Sequence, residues 1–308
     1  MKKIRLGSTS LEVPQVALGC MRFNQFTPDE MACFIHTSLD LGINFFDHAD
    51  IYGAGDSERV FGAALKSDPS IRREDLIIQT KCGILLGSHY DNSKKHILES
   101  VDAALERLQT DYIDILLLHR PDALVEPEEV AEAFDELVAS GKVRYFGVSN
   151  HKPMQIELLK KYVRQPLLID QLQLSVQASS MIANGMEVNM TTDGAVSRDE
   201  DVLDYCRIHD ITIQTWSPFQ THDRSGTFIG DRERFPELNQ CLDELADKYH
   251  ATPTTIAASW ILRHPAHFQI LSGSTKESRL KEIAAACDIT LTRPEWYRLY
   301  LSAGHPLP

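Results

Sequence analysis

The chain alternates short apolar runs with stretches in which apolar residues recur every three or four positions. The apolar runs fall at residues 16–18, 44–46, 76–80, 113–118, 145–148, 168–173, 212–215 and 268–271. Most are continuous rather than alternating, the pattern of parallel strands covered on both faces. Helical spacing occupies 30–41, 58–65, 94–108, 127–140, 154–162 and 254–263. In 94–108, for instance, Ile97, Val101, Ala104 and Leu108 share one face. Gly42 and Gly141 stand where two of these helices should stop.

Eight strands with helices between them predict an α/β fold, a (β/α)8 TIM barrel. A doubly wound sheet is the rival, and it usually carries a glycine fingerprint after its first strand. The nearest candidate, Gly53-Ala54-Gly55, follows the second strand and lacks the third glycine. It reads instead as a tight turn before a helix capped by Asp56 or Ser57. No Pro/Gly/Ser-rich linker divides the chain, so one domain over 1–308 is expected. Two connections, 175–201 and 217–236, are too long for simple turns. Both follow strands at the carboxyl end, where barrel active sites form, and long loops inside compact domains are usually functional.

Composition narrows the field of partners. Hydrophobic residues make up 43% and charged residues 24%, enough for a sizeable core in a soluble protein. The formal net charge of −13 argues against nucleic acid or an anionic membrane as the main partner, while leaving room for a local basic pocket. Six dispersed cysteines without a CxxC pair suit reduced thiols. No apolar run is long enough for a signal peptide or a membrane span, so a cytoplasmic location is expected.

Four residues near the carboxyl ends of three strands carry candidate chemistry: Asp47 and Tyr52 in FDHADIYG, Lys81 in IIQTK, and His119 in YIDILLLH. Together an acid, a phenol, an ammonium and an imidazole suit proton delivery to a carbonyl oxygen. Tyrosine alone, with a reference pKa near 10, is a poor acid at pH 7. A lysine cation at about 4 Å, at an effective dielectric near 20, favours the phenolate by roughly 4 kcal/mol, or about three pKa units. That shift is expected to bring Tyr52 into the range of general acid catalysis. Two other enzyme readings use the same residues: an aldolase with Lys81 as a Schiff-base nucleophile, and a metal-dependent hydrolase built on His48, Asp50 and His119. The first needs a neutral amine, which Asp47 nearby opposes. The second lacks HxH or HExxH spacing.

On these motifs the chain resembles the aldo-keto reductase superfamily. The run 42–53, GINFFDHADIYG, matches the family's acid-and-tyrosine motif, 77–81 its lysine strand, and 111–121 its histidine strand. Gly147-Val148-Ser149-Asn150 matches its G-x-S-N. Gly273-Ser274-Thr275-Lys276, with Arg279 and Leu280, matches its late cofactor motif. The motifs keep family order over nearly the whole chain. The resemblance implies a barrel reductase that uses NADPH without a Rossmann domain and acts on a small-molecule carbonyl substrate. It implies Tyr52 as general acid, Lys81 as the residue lowering its pKa, Asp47 as the partner keeping Lys81 charged, and His119 as the group orienting the carbonyl. It also implies a cofactor cradle. Gly19, Met21 and Asp47 belong to it, with Ser149, Asn150 and Gln171 at the carboxamide and Trp216 stacked on the nicotinamide. Ser217, Pro218 and Phe219 begin the pyrophosphate loop. Gly273, Ser274, Thr275, Lys276 and Arg279 hold the 2′-phosphate of NADP, with Glu282 beside them. Departures from the family pattern are His48 for a common threonine, Ser272 for a common proline, Ile283 for a common asparagine, and the length of 175–201. A regulatory subunit that binds NADPH is the non-enzyme alternative, and the complete set of four residues favours catalysis over it.

Overall fold

A computed structural model describes residues 1–307. Eight strands close into a parallel barrel in chain order: β1 (Val16–Gly19), β2 (Phe45–Asp47), β3 (Ile77–Cys82), β4 (Ile113–Leu118), β5 (Val143–Ser149), β6 (Leu167–Gln173), β7 (Thr212–Trp216) and β8 (Gln269–Ser272). Every apolar run of the sequence forms one of them, and β8 pairs with β1 to close the ring. β4 is buried at all six positions, as a strand covered on both faces must be.

The helices pack outside. They are α1 (Pro28–Asp40), α2 (Asp56–Ser67), α3 (Lys94–Leu108), α4 (Pro127–Ala139), α5 (Pro153–Lys160), α6 (Ser180–Met186), α7 (Val202–Ile208), α8 (Pro236–Tyr249), α9 (Pro253–Leu262), α10 (Glu277–Ala285) and α11 (Arg293–Ser302). Gly42 and Gly141 take left-handed φ values of 76° and 72° just after α1 and α4, so both act as the expected stops. The start of α2 differs from expectation. Its N-cap is the left-handed Gly55, neither Asp56 nor Ser57 caps it, and Asp56 instead pairs with Arg59. Gly53, Ala54 and Gly55 are all left-handed in the preceding turn, which leaves no extended residue there to present a capping side chain.

Several elements have no counterpart in the hydrophobic pattern. A short antiparallel pair, Lys3–Arg5 with Glu12–Pro14, places Ile4, Leu6 and Val13 against Ala17, Phe45, Ile115, Leu117 and Leu168 in one buried cluster. A second pair, Ile84–Leu85 with His89–Tyr90, follows β3. Between β6 and β7 the long segment is organised by α6 and by hydrogen bonds to the chain's end: Gln177 donates to the Ala303 carbonyl at 2.9 Å, and Ser179 contacts His305 at 2.9 Å. Ser175 donates to the Gln220 carbonyl at 2.7 Å, tying the two long connections together. The second connection is pinned by Asn239 on α8, whose Nδ2 donates to the carbonyls of Phe228, Asp231 and Phe235. On the far side of the barrel, Trp260 of α9 and Trp296 of α11 stack at 4.8 Å and 8°. Each indole N–H donates to the other residue's carbonyl at 3.0 Å. No described helix is long and apolar enough to cross a membrane.

Candidate active site

The carboxyl ends of β2, β3 and β4 bring Asp47, Tyr52, Lys81 and His119 together. Lys81 is the hub. Its fully buried ammonium donates to Asp47 Oδ2 at 2.8 Å, to the His48 carbonyl at 2.8 Å and to the Tyr52 hydroxyl at 3.1 Å, using all three of its protons. Burial pushes the Lys81 pKa down, but Asp47 and Tyr52 more than offset this, and the net shift is upward. Lys81 is therefore a cation at neutral pH. The His119 ring stands at 6.1 Å and 84° to the Tyr52 ring.

The electrostatics of Tyr52 differ from the sequence expectation. Burial raises its pKa, Lys81 lowers it, and Asp47 raises it again, so the net shift is upward from the ordinary value. A lysine cation considered alone leaves out both the desolvation and the carboxylate that faces the same ammonium. Tyr52 thus rests fully protonated, loaded as a donor. The His119 pKa is driven down to about 2 by burial and by the Lys81 and Arg120 charges, so its ring is neutral. His119 Nδ1 is buried with no hydrogen-bond partner among the described residues. His48 is also neutral, its pKa lowered to about 3 by burial and Lys81. Its ring packs edge-on against Phe61 at 4.7 Å.

Behind the four lies a chain of buried amides that sequence reasoning missed apart from Gln171. Gln79 and Gln171 donate to Asp47 Oδ1 at 2.5 and 3.2 Å, and both also donate to Gln214 Oε1 at 2.9 Å. Gln214 donates to Gln269 Oε1 at 2.8 Å, and Gln269 donates to the Pro14 carbonyl at 2.6 Å. Registers explain the layer: Asp47 pairs with Gln79, Gln171 with Gln214, and Gln214 with Gln269. Asp47 consequently accepts three hydrogen bonds, one of them from the ammonium, and its position is determined from both sides. The available signal was a glutamine inside each of four apolar strands.

Around the mouth, the expected cofactor residues fall into two groups. Ser149 ends β5 and donates to the Gln171 carbonyl at 3.1 Å; Asn150 Nδ2 donates to Ser149 Oγ at 2.7 Å. Trp216, half-buried at the end of β7, donates from Nε1 to Asn150 Oδ1 at 3.2 Å. Asn150 and Ser217 are held at φ values of 59° and 53°, a strained backbone of the sort that collects at functional sites. Gln171 lies deeper, with its Nε2 already engaged by Asp47 and Gln214. Gly19 ends β1 beside Asp47, and the half-exposed Met21 follows it, while Pro218 and Phe219 continue from Ser217. The second group follows β8. Gly273, Ser274 and Thr275 lead to Lys276, which N-caps α10 without a side-chain cap, so the first-turn amides of α10 are left for an anion. Lys276 has no ion-pair partner among the described residues, and Arg279 has Glu282 at 3.4 Å. Two cations, hydroxyls and a bare helix terminus fit a phosphate, and a half-buried indole with fixed amides fits a nicotinamide.

Cavity volume alone does not locate this chemistry. A cavity of about 540 Å³ lies at the opposite end of the barrel, beside Lys3, Arg5 and Arg207, where barrels invest in stability. A second, of about 410 Å³, opens at the catalytic face and includes Asn150 and Trp216 in its wall.

The sequence and the fold have counterparts among known proteins. The family model described as "Aldo/keto reductase family" matches residues 15–300. An uncharacterized oxidoreductase of Bacillus subtilis is 35% identical, each chain covered in full. A 6-dehydroglucose reductase of Novosphingobium aromaticivorans is 34% identical over 99% of this chain and 96% of its own. The crystal structure of a thermostable aldo-keto reductase in complex with an inhibitor superposes with a TM-score of 0.78 at 27% identity, covering 98% of this chain and 100% of that one.

Proposed function

The chain belongs to the aldo/keto reductase family, an oxidoreductase that acts on carbonyl groups with a nicotinamide cofactor, and from that premise we propose that it uses NADPH to reduce an aldehyde or ketone to an alcohol, with Tyr52 as proton donor. The observation that carries this reading is the Lys81 ammonium shared between Asp47 and Tyr52. When bound, the cofactor supplies a hydride from nicotinamide C4. Ser149 and Asn150 would hold the carboxamide, with Trp216 beside the ring. Lys276 and Arg279, with the first turn of α10, would take the 2′-phosphate.

The carbonyl oxygen sits between the Tyr52 hydroxyl and the neutral His119 ring. His119 donates to it and stabilises the negative charge as it develops. Tyr52 transfers its proton to that oxygen, and the phenolate left behind is stabilised by the Lys81 ammonium at 3.1 Å. The raised pKa of resting Tyr52 is compatible with this role, because an alkoxide is far more basic than a phenolate. A Schiff base on Lys81 is disfavoured, since that chemistry needs a neutral amine and the charge here is held by three acceptors. The whole chain, 1–308, acts as one such barrel, and a cytoplasmic setting with reduced thiols suits an NADPH-linked reductase.

The test follows NADPH oxidation against a panel of aldehydes and ketones. Tyr52→Phe is expected to lose about 10²–10⁴-fold in turnover while binding NADPH with little change. Turnover near the wild-type rate overturns the assignment of Tyr52. Alanine at Lys276 and Arg279 is expected to weaken NADPH far more than NADH, and equal losses reject the phosphate role.

A further inference from the structure

One cavity at the catalytic face extends beyond the machinery described above. The 410 Å³ cavity extends from Trp216 and Asn150 away from α10, toward the long segment between β6 and β7. Ser180, Met181, Asp199 and Val202 of that segment and its following helix form one wall. Arg120, which directly follows His119, and Arg224, from the connection after β7, form others.

Three side chains in this cavity wall have donors without side-chain acceptors among the described residues. Most arginines of the chain are in ion pairs, Arg59, Arg72, Arg73, Arg107 and Arg144 among them. Neither guanidinium in the cavity has an ion-pair or side-chain hydrogen-bond partner among the described residues. Gln173, also in the wall, has its Nε2 buried with no partner. Lys152 is a third cation in the wall, but Glu200 engages it at 3.2 Å. Asp199 is the one acid in the wall. His151 contributes no charge at neutral pH, since burial lowers its pKa to about 4. Two free guanidiniums and an orphan amide therefore converge on a space with little to accept their protons. Arg224 is exposed and Arg120 half-buried, so both are free to meet an incoming anion, while the buried Gln173 amide gains from any ligand that supplies an acceptor.

We propose that this cavity binds the distal end of the substrate and that this end is a carboxylate, making the preferred substrates aldehydes or ketones that carry an acid group. The proposal rests on the reductase reading above. Arg120 connects the two parts of the site. It directly follows His119 in the chain and shares the cavity wall with Asn150 and Trp216, so an anion on Arg120 would lie beside the proposed place of the carbonyl. The cofactor's phosphates are a competing source of negative charge. The residues suited to them follow β7 and β8, whereas Arg120 follows β4 and Gln173 ends β6 on the other side of Trp216. Arg224 shares the connection after β7 with the pyrophosphate residues, so NADPH titration is what separates its role from theirs.

The experiment compares 4-carboxybenzaldehyde with its methyl ester, using NADPH and the full-length enzyme. Wild type is expected to favour the carboxylate at least about tenfold in kcat/KM, through KM, with the preference shrinking as ionic strength rises. In Arg224→Ala and Arg120→Gln the ratio is expected to fall toward one, and in Arg224→Glu below one. NADPH affinity, read by fluorescence titration, reports both folding of each variant and any cofactor role of these arginines. Equal efficiency on both aldehydes in the wild type overturns the proposal and leaves the reductase reading standing. So does a ratio unchanged in all three variants, or a loss confined to NADPH affinity. No reduction of either probe overturns the reductase reading and this proposal with it.

Discussion

Tyr52 shows two effects competing over one proton: the dry surroundings and Asp47 raise its pKa, and the Lys81 cation lowers it. The sequence named all three residue types but not the burial that decides the sign. It likewise could not show that Asp47 is braced by Gln79 and Gln171 as well as by Lys81, because a glutamine in an apolar strand carries no mark of which neighbour it meets. The ionisable residues themselves were legible, since strand ends in a barrel converge wherever their side chains point. The same environments predict the pH profile. His119 stays neutral above about pH 3, while the upward shifts of Lys81 and Tyr52 keep the one charged and the other protonated, so none of them titrates across the neutral range. The nearest group that does is Asp50, raised to about 7 mainly by burial and by Glu58. The single-turnover reduction rate is therefore expected to be nearly flat from about pH 5.5 to about 8.5, with any limb near pH 7 abolished in Asp50→Asn. A limb near 6–7 that survives in that variant shows His119 titrating instead.

Strands and their order were readable because a continuous apolar run flanked by helical stretches fits little besides a buried parallel strand. Helices α8 and α11 escape the pattern, although each carries a signal. Pro236 opens α8 ahead of Leu238, Leu242 and Leu245, and Thr292 with Glu295 forms a capping box for α11. In both cases charged residues between the apolar positions obscure the period. The long connections are recognisable by length, but their anchoring by Asn239 and by residues 303–305 depends on contacts distant in sequence. One strand shows how closely an element can be constrained. A Cβ on Gly147 of β5 would lie 2.8 Å from the Ile169 carbonyl oxygen and 2.8 Å from Leu117 Cδ2. Backbone cannot yield as a flexible side chain does, so Gly147→Ala is expected to move β5 away from β6 and cost about 1–3 kcal/mol of stability. Because Ser149 and Asn150 follow closely in the chain, NADPH affinity should fall as well. Urea denaturation together with fluorescence titration measures both, and an unchanged midpoint rejects the close-approach argument.

Across the whole molecule, buried titratable groups set how stability depends on pH. His48, His119, His151 and His264 have folded pKa values lowered to about 3, 2, 4 and 4 by burial. Between those values and about 6.5 the unfolded chain binds protons that the folded one does not, so stability rises with pH over that interval. Asp50 and Asp170 act oppositely, with folded values raised to about 7 and 8, chiefly by burial. Above about pH 4 the unfolded chain has released protons these two still hold, so they lower stability as pH rises, until their folded pKa values are passed. The histidine contribution is larger up to about 6.5 and then ends. The urea midpoint is therefore expected to peak near about pH 6.5 and to decline toward about pH 8, and a midpoint still rising over that upper interval contradicts this balance. The three tryptophans divide along the same plan of a catalytic face and a remote support. Trp260 and Trp296 are buried and locked to each other by reciprocal hydrogen bonds, whereas Trp216 stands half-exposed at the mouth. The protein thus carries two intrinsic optical reporters: emission from the locked pair is expected to follow unfolding of the helical shell, and, on the proposed reading of the site, emission from the lone indole is expected to follow its occupancy.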